Sequence, residues 1–178
     1  NVLDPVLRTS NSGVVLAAVK AFVRLTDPLP ELHEQVYERL KAPLLTLMAS
    51  PSPEIAHALL KHIELLVARC PGVFADDYGQ FYTRYNEPSH VKYVKIDLLA
   101  QVASDSSMEE ITRELAEYVA DVDVEMARRA IRAIGRVALR LPKSADPVCE
   151  KLIELLDLEI EYVRAETVLA LKDLLRKY

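Results

Sequence analysis

The fold is decided by the stretch "DVEMARRAIRAIGRVALRL", residues 123–141, in which apolar side chains recur every three or four positions. Met126, Ile131, Ile134 and Val137 fall within an arc of about 140° on a helical wheel. Five arginines lie in an arc of about 120° almost opposite that stripe. These are Arg128, Arg129, Arg132, Arg136 and Arg140. The stretch is therefore predicted to form an amphipathic helix with a basic solvent side.

The same apolar pattern occurs five times along the chain. Its first positions are Val14, Ile55, Val91, Met126 and Val163, which are 35 to 41 residues apart. The positions five, eight and eleven residues further on are apolar in every copy. They are Val19, Leu60, Ile96, Ile131 and Val168, then Phe22, Ile63, Leu99, Ile134 and Leu171, then Leu25, Leu66, Val102, Val137 and Leu174. This period is typical of helical-pair repeats.

A partner helix is predicted between successive copies, in residues 30–48, 75–85, 107–119 and 146–156. Prolines separate the helices, as in "DPLPE", "SPSPE" and "LPKSADP". We predict an all-α fold, a right-handed α-solenoid of HEAT/armadillo-like hairpins, with about five repeats in one domain over residues 1–178. "VRAETVLALKDL" and "AIRAIGRVA" resemble HEAT repeats. A four-helix bundle is the competing fold, but it gives no reason for five copies of one pattern.

Composition excludes several classes of protein. The net charge of −5 argues against general nucleic-acid binding, and no apolar run has the length of a membrane span. Cys70 and Cys149 form no CxxC pair, so neither a disulfide framework nor a zinc site is indicated, and a reducing, cytosolic compartment is expected. Since the chain does not begin with Met, we expect a piece of a longer protein.

Motifs for catalysis or cofactor binding are missing from the sequence. There is no phosphate-binding glycine loop, HExxH or GxSxG. His57 and His62 are five residues apart on one predicted helix, a poor geometry for sharing a metal. The acidic run Glu109–Asp123 lacks the turn glycine of a calcium loop, and Phe81, Tyr82 and Tyr85 have helical spacing that favours core packing. We predict no enzyme activity, cofactor, metal or small-molecule substrate.

The arginine face is the candidate partner-binding site. It comprises Arg128, Arg129, Arg132 and Arg136, with Lys92 and Lys95 extending it from the equivalent helix one repeat earlier. One interpretation is a docking surface for an acidic segment or an anionic headgroup. The other is a solvated face whose arginines pair with nearby acids such as Asp97, Glu161 or those of residues 109–117, at the modest value of surface ion pairs.

Three longer segments resemble the trunk of beta-adaptins, the large subunits of heterotetrameric adaptor complexes that sort cargo into coated vesicles. They are "FYTRYNEPSHVKYVKIDLL", "DVDVEMARRAIRAIGRVAL" and "YVRAETVLALKDLLRKY". The sequence motifs Tyr85–Lys92 and Ala130–Arg136 are specific to the group, and the resemblance covers essentially the whole chain. Residues 38–88 are more similar to the beta subunit of the fourth adaptor complex than to those of the first and second.

The resemblance implies a non-enzymatic scaffold. Its expected partners are a second large adaptin, a small subunit and the amino-terminal domain of a medium subunit, which the beta trunk cradles. Peripheral attachment to the cytosolic face of trans-Golgi or endosomal membranes is also implied, with no nucleic acid. A nuclear transport receptor and a phosphatase scaffold are the alternatives; the first would need a groove that accepts basic peptides, and this chain has no Trp and a basic face.

Overall fold

The computed structural model describes residues 5–9, 11–49 and 52–178. This part of the chain forms eight α-helices and contains no strand, which confirms the all-α prediction. The helices are α1 (Ser12–Thr26), α2 (His33–Met48), α3 (Pro53–Arg69), α4 (Ser89–Val102), α5 (Met108–Tyr118), α6 (Val124–Arg140), α7 (Ala145–Leu156) and α8 (Glu161–Lys177). Short 3-10 segments occupy Val6–Arg8, Pro30–Leu32, Pro71–Phe81 and Pro142–Ser144.

Polar caps and prolines define where the helices begin. Asn11 accepts a hydrogen bond from the amide of Val14 at 3.2 Å, and Ser52 accepts one from Ile55 at 3.4 Å. Pro53 follows that cap at the first helical position, where no backbone N–H is needed. Pro51 of the predicted "SPSPE" boundary lies outside the described residues.

The chain clusters into two compact units, Asn1–Phe74 and Ala75–Tyr178. In the first unit, α2 packs against α1 and α3 around buried side chains such as Tyr37 and Ile63. Arg69 donates to the Tyr37 hydroxyl at 3.3 Å and pairs with Asp27 at 2.7 Å. The prediction of one continuous solenoid over residues 1–178 concerns both units together, and it stays a prediction.

The second unit has the arrangement expected of stacked hairpins. Helix α6 packs against α4 on one side and α8 on the other. We name α4, α6 and α8 the inner row, and α5 and α7 the outer row. Helix α5 packs on α6 and α7 packs on α8, so that α5–α6 and α7–α8 are successive hairpins. Buried side chains such as Leu99, Ile134 and Leu174 fill the space between them. Each hairpin therefore covers the apolar face of the next, as the repeat pattern predicts.

The predicted apolar stripes are buried best in the middle of the chain. Every stripe position of α4 and α6 is buried, and in α3 only Ile55 is half-buried. In α1, Val14 and Leu25 are exposed, and in α8 Val168 is exposed.

The segment "ADDYGQFYTRY" differs from the prediction. A helix was expected over residues 75–85, but the chain forms 3-10 turns only as far as Phe81 and then an irregular loop over residues 82–88. Tertiary hydrogen bonds hold the loop, since the amide of Thr83 donates to the Tyr118 hydroxyl at 2.9 Å. Phe81 is buried as predicted, whereas the core assignment of Tyr85 is wrong because its side chain is 100% exposed.

Candidate partner-binding surface

Helix α6 carries the arginine face, and the buried apolar stripe on its other side sets the orientation of that face. The Asp123 side chain caps the helix by accepting from the amides of Glu125 at 3.0 Å and Met126 at 3.2 Å. The stripe from Met126 to Val137 is buried among the neighbouring helices. The arginines consequently lie on the side of α6 that its neighbours leave open.

Asp97 on α4 is the centre of the first ionic cluster. Its carboxylate accepts from Arg129 at 2.9 Å and from Arg136 at 2.5 Å. The Arg129 guanidinium also lies 4.8 Å from the centroid of the Tyr93 ring, within the range of a cation–π interaction. These two arginines therefore tie α6 to α4.

The remaining arginines of the face point toward α8. Arg132 pairs with Glu166 of α8 at 3.1 Å and with Glu125 of its own helix at 3.4 Å. Arg128 lies 6.0 Å from the centroid of the Tyr162 ring, at the start of α8. The arginine face thus bridges three successive inner-row helices.

These ion pairs favour the interpretation of the arginine face as a structural surface. They do not neutralise all of its positive charge. Of the acids expected to pair with the arginines, Asp97 is confirmed; the other carboxylates that contact them within the described part are Glu125 and Glu166. Four arginines facing three carboxylates leave a small excess of positive charge. Arg132 and Arg136 also keep 44% and 45% of their side chains exposed, so N–H donors remain for a partner.

Arg140 has a different role from the other four arginines. It donates to the carbonyl oxygens of Gln101 and Ala103 at the carboxyl end of α4. Burial lowers the pKa of its guanidinium from the ordinary value. Cationic groups are favourable at this end of a helix, so Arg140 caps α4 from the next repeat.

Lys95 does not belong to the basic surface, and that part of the prediction is wrong. Its side chain is buried, with a residue exposure of 3%, and Nζ donates to Glu87 at 2.5 Å and to the Tyr82 carbonyl at 3.1 Å. Burial lowers the pKa of the Lys95 ammonium, although Glu87 opposes the change. Because it is four residues after Val91 and three before Leu98, helical spacing alone could have placed it on the buried side. Lys92 is half-buried and remains a candidate.

The inner row contains a groove bordered by this face. It lies between α6 and α8 with a volume of about 480 Å³, lined by Arg132, Arg136, Leu139, Leu169 and Lys172 among others. A second groove of about 660 Å³ lies between the outer helices α5 and α7, over Val148 and Leu155. Both are open surface grooves suited to protein segments.

Several of the other polar side chains considered in the sequence have local partners. His62 Nδ1 lies 2.7 Å from the carbonyl oxygen of Ala58, one turn earlier in α3. Glu110 and Glu114 of the acidic run accept hydrogen bonds from the hydroxyls of Tyr78 and Tyr118. Within the part that the structure describes, no group of three metal-ligating side chains is assembled.

The comparisons with known proteins decide the family. The family model of the adaptin N-terminal region matches residues 1–178, the full length of the chain. The chain belongs to the adaptin family. A beta-adaptin-like protein A of Arabidopsis thaliana is 49% identical to this adaptin over all 178 residues of the present chain. The AP-1 complex subunit beta-1 of Mus musculus is 34% identical and the AP-2 complex subunit beta of Schizosaccharomyces pombe is 31% identical, each over 99% of the chain.

This adaptin chain spans only about a fifth to a quarter of the length of these curated relatives, covering 21%, 19% and 26% of them. In none of the helices that the structure describes do length and apolar character suffice to cross a membrane.

Comparison with known three-dimensional structures supports the fold of the adaptin chain. A homology model of the full-length AP-3 complex in an intermediate open conformation matches 98% of this chain and 28% of that chain, with a TM-score of 0.81 and 21% identity. A designed armadillo repeat protein matches 94% of this chain and 79% of its own, with a TM-score of 0.57 and 15% identity. At these identities the likeness concerns fold alone, and it confirms the all-α solenoid class.

Proposed function

We propose that this adaptin chain is a non-enzymatic scaffold subunit of an adaptor complex in vesicle-mediated protein transport and cargo sorting. The family match over residues 1–178 carries the proposal. It is supported by the names of two relatives, which are beta subunits of the AP-1 and AP-2 complexes. A nuclear transport receptor or phosphatase scaffold would share the repeat architecture but not this family membership.

The partners under this proposal are a second large adaptin, a medium subunit and a small subunit. The chain acts at the cytosolic face of trans-Golgi or endosomal membranes, to which the complex is attached peripherally. The inner row meets the amino-terminal domain of the medium subunit through Lys92, Arg128, Arg129, Arg132 and Arg136. The half-exposed guanidinium groups of Arg132 and Arg136 support this contact because they retain free donors for partner carboxylates.

We further propose that the complex is the fourth adaptor complex. The sequence similarity of residues 38–88 is the basis of this assignment. The identities of 34% and 31% to the AP-1 and AP-2 beta subunits, against 49% to the beta-adaptin-like protein, favour a complex other than those two. Identification of the subunits that copurify with the full-length chain tests it directly.

The docking experiment uses the full-length chain and the amino-terminal domain of the matching medium subunit. Among the described residues, neither Lys92 nor Arg128 is paired with a carboxylate, so reversing both charges breaks no internal ion pair. We expect the Lys92→Glu and Arg128→Glu double variant to weaken binding by about tenfold or more. The matched control is Arg113→Glu on α5, an exposed arginine of the outer row.

The outcomes separate the two interpretations of the face. Equal binding by the double variant and the control would exclude Lys92 and Arg128 from the docking surface. Loss of binding in the double variant alone would identify the arginine face as that surface. If the chain copurifies with none of the adaptor subunits, the scaffold function itself is wrong.

A further inference from the structure

Apolar side chains are exposed along one edge of the second unit, where the loops lead into the inner-row helices. These loops are residues 82–88, 119–123 and 157–160, which we name the loop edge together with the first residue of α6 and of α8. Tyr85 is 100% exposed and Val122 is 97% exposed. Val124, Leu158 and Ile160 are also exposed on this edge. Loops are ordinarily polar, so such full exposure of large apolar side chains needs an explanation.

The exposure follows the repeat of the fold. Residues 121–125 read "DVDVE" and residues 157–161, which are 36 positions later, read "DLEIE". In both stretches acidic and apolar side chains alternate immediately before an inner-row helix. Tyr85 lies 36 positions before Asp121, in the loop that leads into α4. The acidic and apolar alternation thus recurs at the starts of α6 and α8, and Tyr85 adds an exposed aromatic ring in the loop that leads into α4.

Hydrogen bonds from helix α4 hold the first two loops in place. Ser89 at the start of α4 donates to the Asp123 carboxylate at 2.8 Å, and the Tyr93 hydroxyl donates to it at 2.7 Å. Lys95 fixes the loop that carries Tyr85, because its Nζ donates hydrogen bonds to Glu87 and to the Tyr82 carbonyl. A rigid loop loses little conformational entropy on binding, so its exposed aromatic ring is prepared for an interface.

The opposite edge of the same unit serves as an internal comparison. There the loops of residues 103–107 and 141–144 lead into the outer helices α5 and α7. Their side chains make polar contacts, such as Lys143 with Asp105 and the Ser104 amide with Ser107 Oγ at 3.0 Å. Within these two described loops no large apolar side chain is exposed. Among the loops of the second unit, exposed large apolar side chains therefore lie on the loop edge and not on the opposite edge.

Charge selects the kind of partner. The loop edge contains six acidic residues and one basic residue, Arg84, and of the six the Glu87 carboxylate is already paired with Lys95. Asp157, Glu159 and Glu161 are exposed beside Leu158 and Ile160. An anionic lipid surface would be repelled by this edge, whereas a protein segment that presents basic and apolar side chains together would complement it.

We propose that the loop edge is an inter-subunit docking surface that takes a basic, amphipathic segment of another subunit, with Tyr85 and Val122 as its apolar anchors. The inference rests on the proposed function, which supplies the assembly. A permanently exposed apolar edge favours self-association, and a subunit that covers it within the complex removes that liability. This surface differs from the arginine face in position and in the sign of its charge.

The test is covalent footprinting of the full-length chain, alone and in the reconstituted adaptor complex. Hydroxyl radicals label Tyr85 and Val122 according to their exposure, and Lys143 and Leu141 on the opposite edge report any general loss of labelling. We expect labelling of both anchors to fall by about fivefold or more on assembly, as for side chains at the centre of an interface. Subcomplexes that each lack one subunit identify which one covers the edge.

Substitution provides the second arm of the test. We expect the Tyr85→Ser and Val122→Ser double variant to weaken assembly by about tenfold or more, because both side chains are anchors in the proposal. Val168→Ser, an exposed apolar position on the body of α8, is the matched control and should change assembly by less than about twofold. Since both anchors are fully exposed, the double variant should unfold at the same urea concentration as the wild type.

Each outcome has a distinct meaning. Equal labelling of Tyr85 and Val122 in the free chain and in a fully formed complex would overturn the inference and leave the scaffold function intact. Weakened assembly by the double variant and by Val168→Ser alike would also overturn it, because the edge would then have no special role. Failure of the chain to assemble at all would refute the proposed function, and this inference with it.

Discussion

The guanidinium of Arg129 on α6 donates to the carboxylate of Asp97 on α4 across 2.9 Å, and 32 residues of chain separate the two. This contact joins neighbouring repeats through charge, whereas the apolar stripes join them through burial. Asp97 also accepts from Arg136, so one carboxylate holds two of the arginines in place. Their positions on the face therefore depend on a residue of the preceding repeat.

Removal of that shared carboxylate should destabilise the fold more than removal of an ordinary surface ion pair. We expect Asp97→Asn to lower the free energy of unfolding by about 1–2 kcal/mol, because the two guanidinium groups lose the negative charge and one of the two acceptor oxygens that they share. The matched control is Asp105→Asn, whose partner Lys143 is 73% exposed. That change should cost less than about 0.5 kcal/mol. Urea denaturation of both variants measures the difference, and equal values would contradict the prediction.

The buried Lys95 should be more sensitive than any arginine of the face. We expect Lys95→Met to lower the free energy of unfolding by about 2–4 kcal/mol, because the Glu87 carboxylate and the Tyr82 carbonyl lose their donor. Adding Glu87→Gln removes the unpaired charge and should recover part of the loss. A double-mutant cycle in urea measures the coupling between the two positions. Strictly additive losses would show that the pair contributes nothing specific.

Asp123 should make stability depend on pH in the acidic range. Burial raises the pKa of its carboxyl, but hydrogen bonds from Tyr93, Ser89 and the amides of Met126 and Glu125 outweigh it and hold the pKa below the ordinary value of 3.8. Since the native pKa is lowered, the stabilisation is present at neutral pH and is lost as pH falls below 3.8 through the native pKa.

The measurement for Asp123 is urea denaturation as a function of pH. At pH 7, Asp123→Ala should cost about 1–2 kcal/mol through loss of the helix cap. Its difference from the wild type should shrink as the wild-type carboxylate is protonated. Asp123→Asn keeps an uncharged cap acceptor, so the stability of the Asn variant should vary less with acid than that of the wild type. A constant gap between wild type and Asp123→Ala down to pH 2 would refute the assignment.

Gly135 marks the close approach of α6 and α8. A Cβ atom at this position would lie 3.2 Å from the Cβ of Ala170, closer than ordinary contact. We expect Gly135→Leu to cost about 1–3 kcal/mol, because the larger side chain forces the helices apart. Gly79 faces open space, with nothing within 4 Å of the corresponding Cβ position. Gly79→Leu should therefore cost less than about 1 kcal/mol, and thermal unfolding of the two variants provides the comparison.

All but one of the predicted helices, and most of the core, follow from sequence alone. Helical periodicity is a local property, so the spacing of Met126, Ile131, Ile134 and Val137 determines which side of α6 is buried without knowledge of its neighbours. The repetition of that spacing determines that hairpins stack, and the arginines are placed opposite the stripe for the same reason. The sequence motifs Tyr85–Lys92 and Ala130–Arg136 also indicate the family.

The tertiary structure alone decided which polar side chains are used internally. The repeat pattern predicts Lys95 on the basic face, one repeat before the arginines of α6, yet the loop of residues 82–88 covers it and supplies its partners. Helical spacing predicts Tyr85 in the core. The residue lies instead in a non-helical loop held by Tyr118, Glu87 and Lys95, where helical spacing does not predict burial. The pairing of Asp97 with two arginines likewise depends on how α4 and α6 are stacked. Burial of apolar surface is additive and readable along one helix, whereas a hydrogen bond depends on the position of two atoms that only the fold brings together.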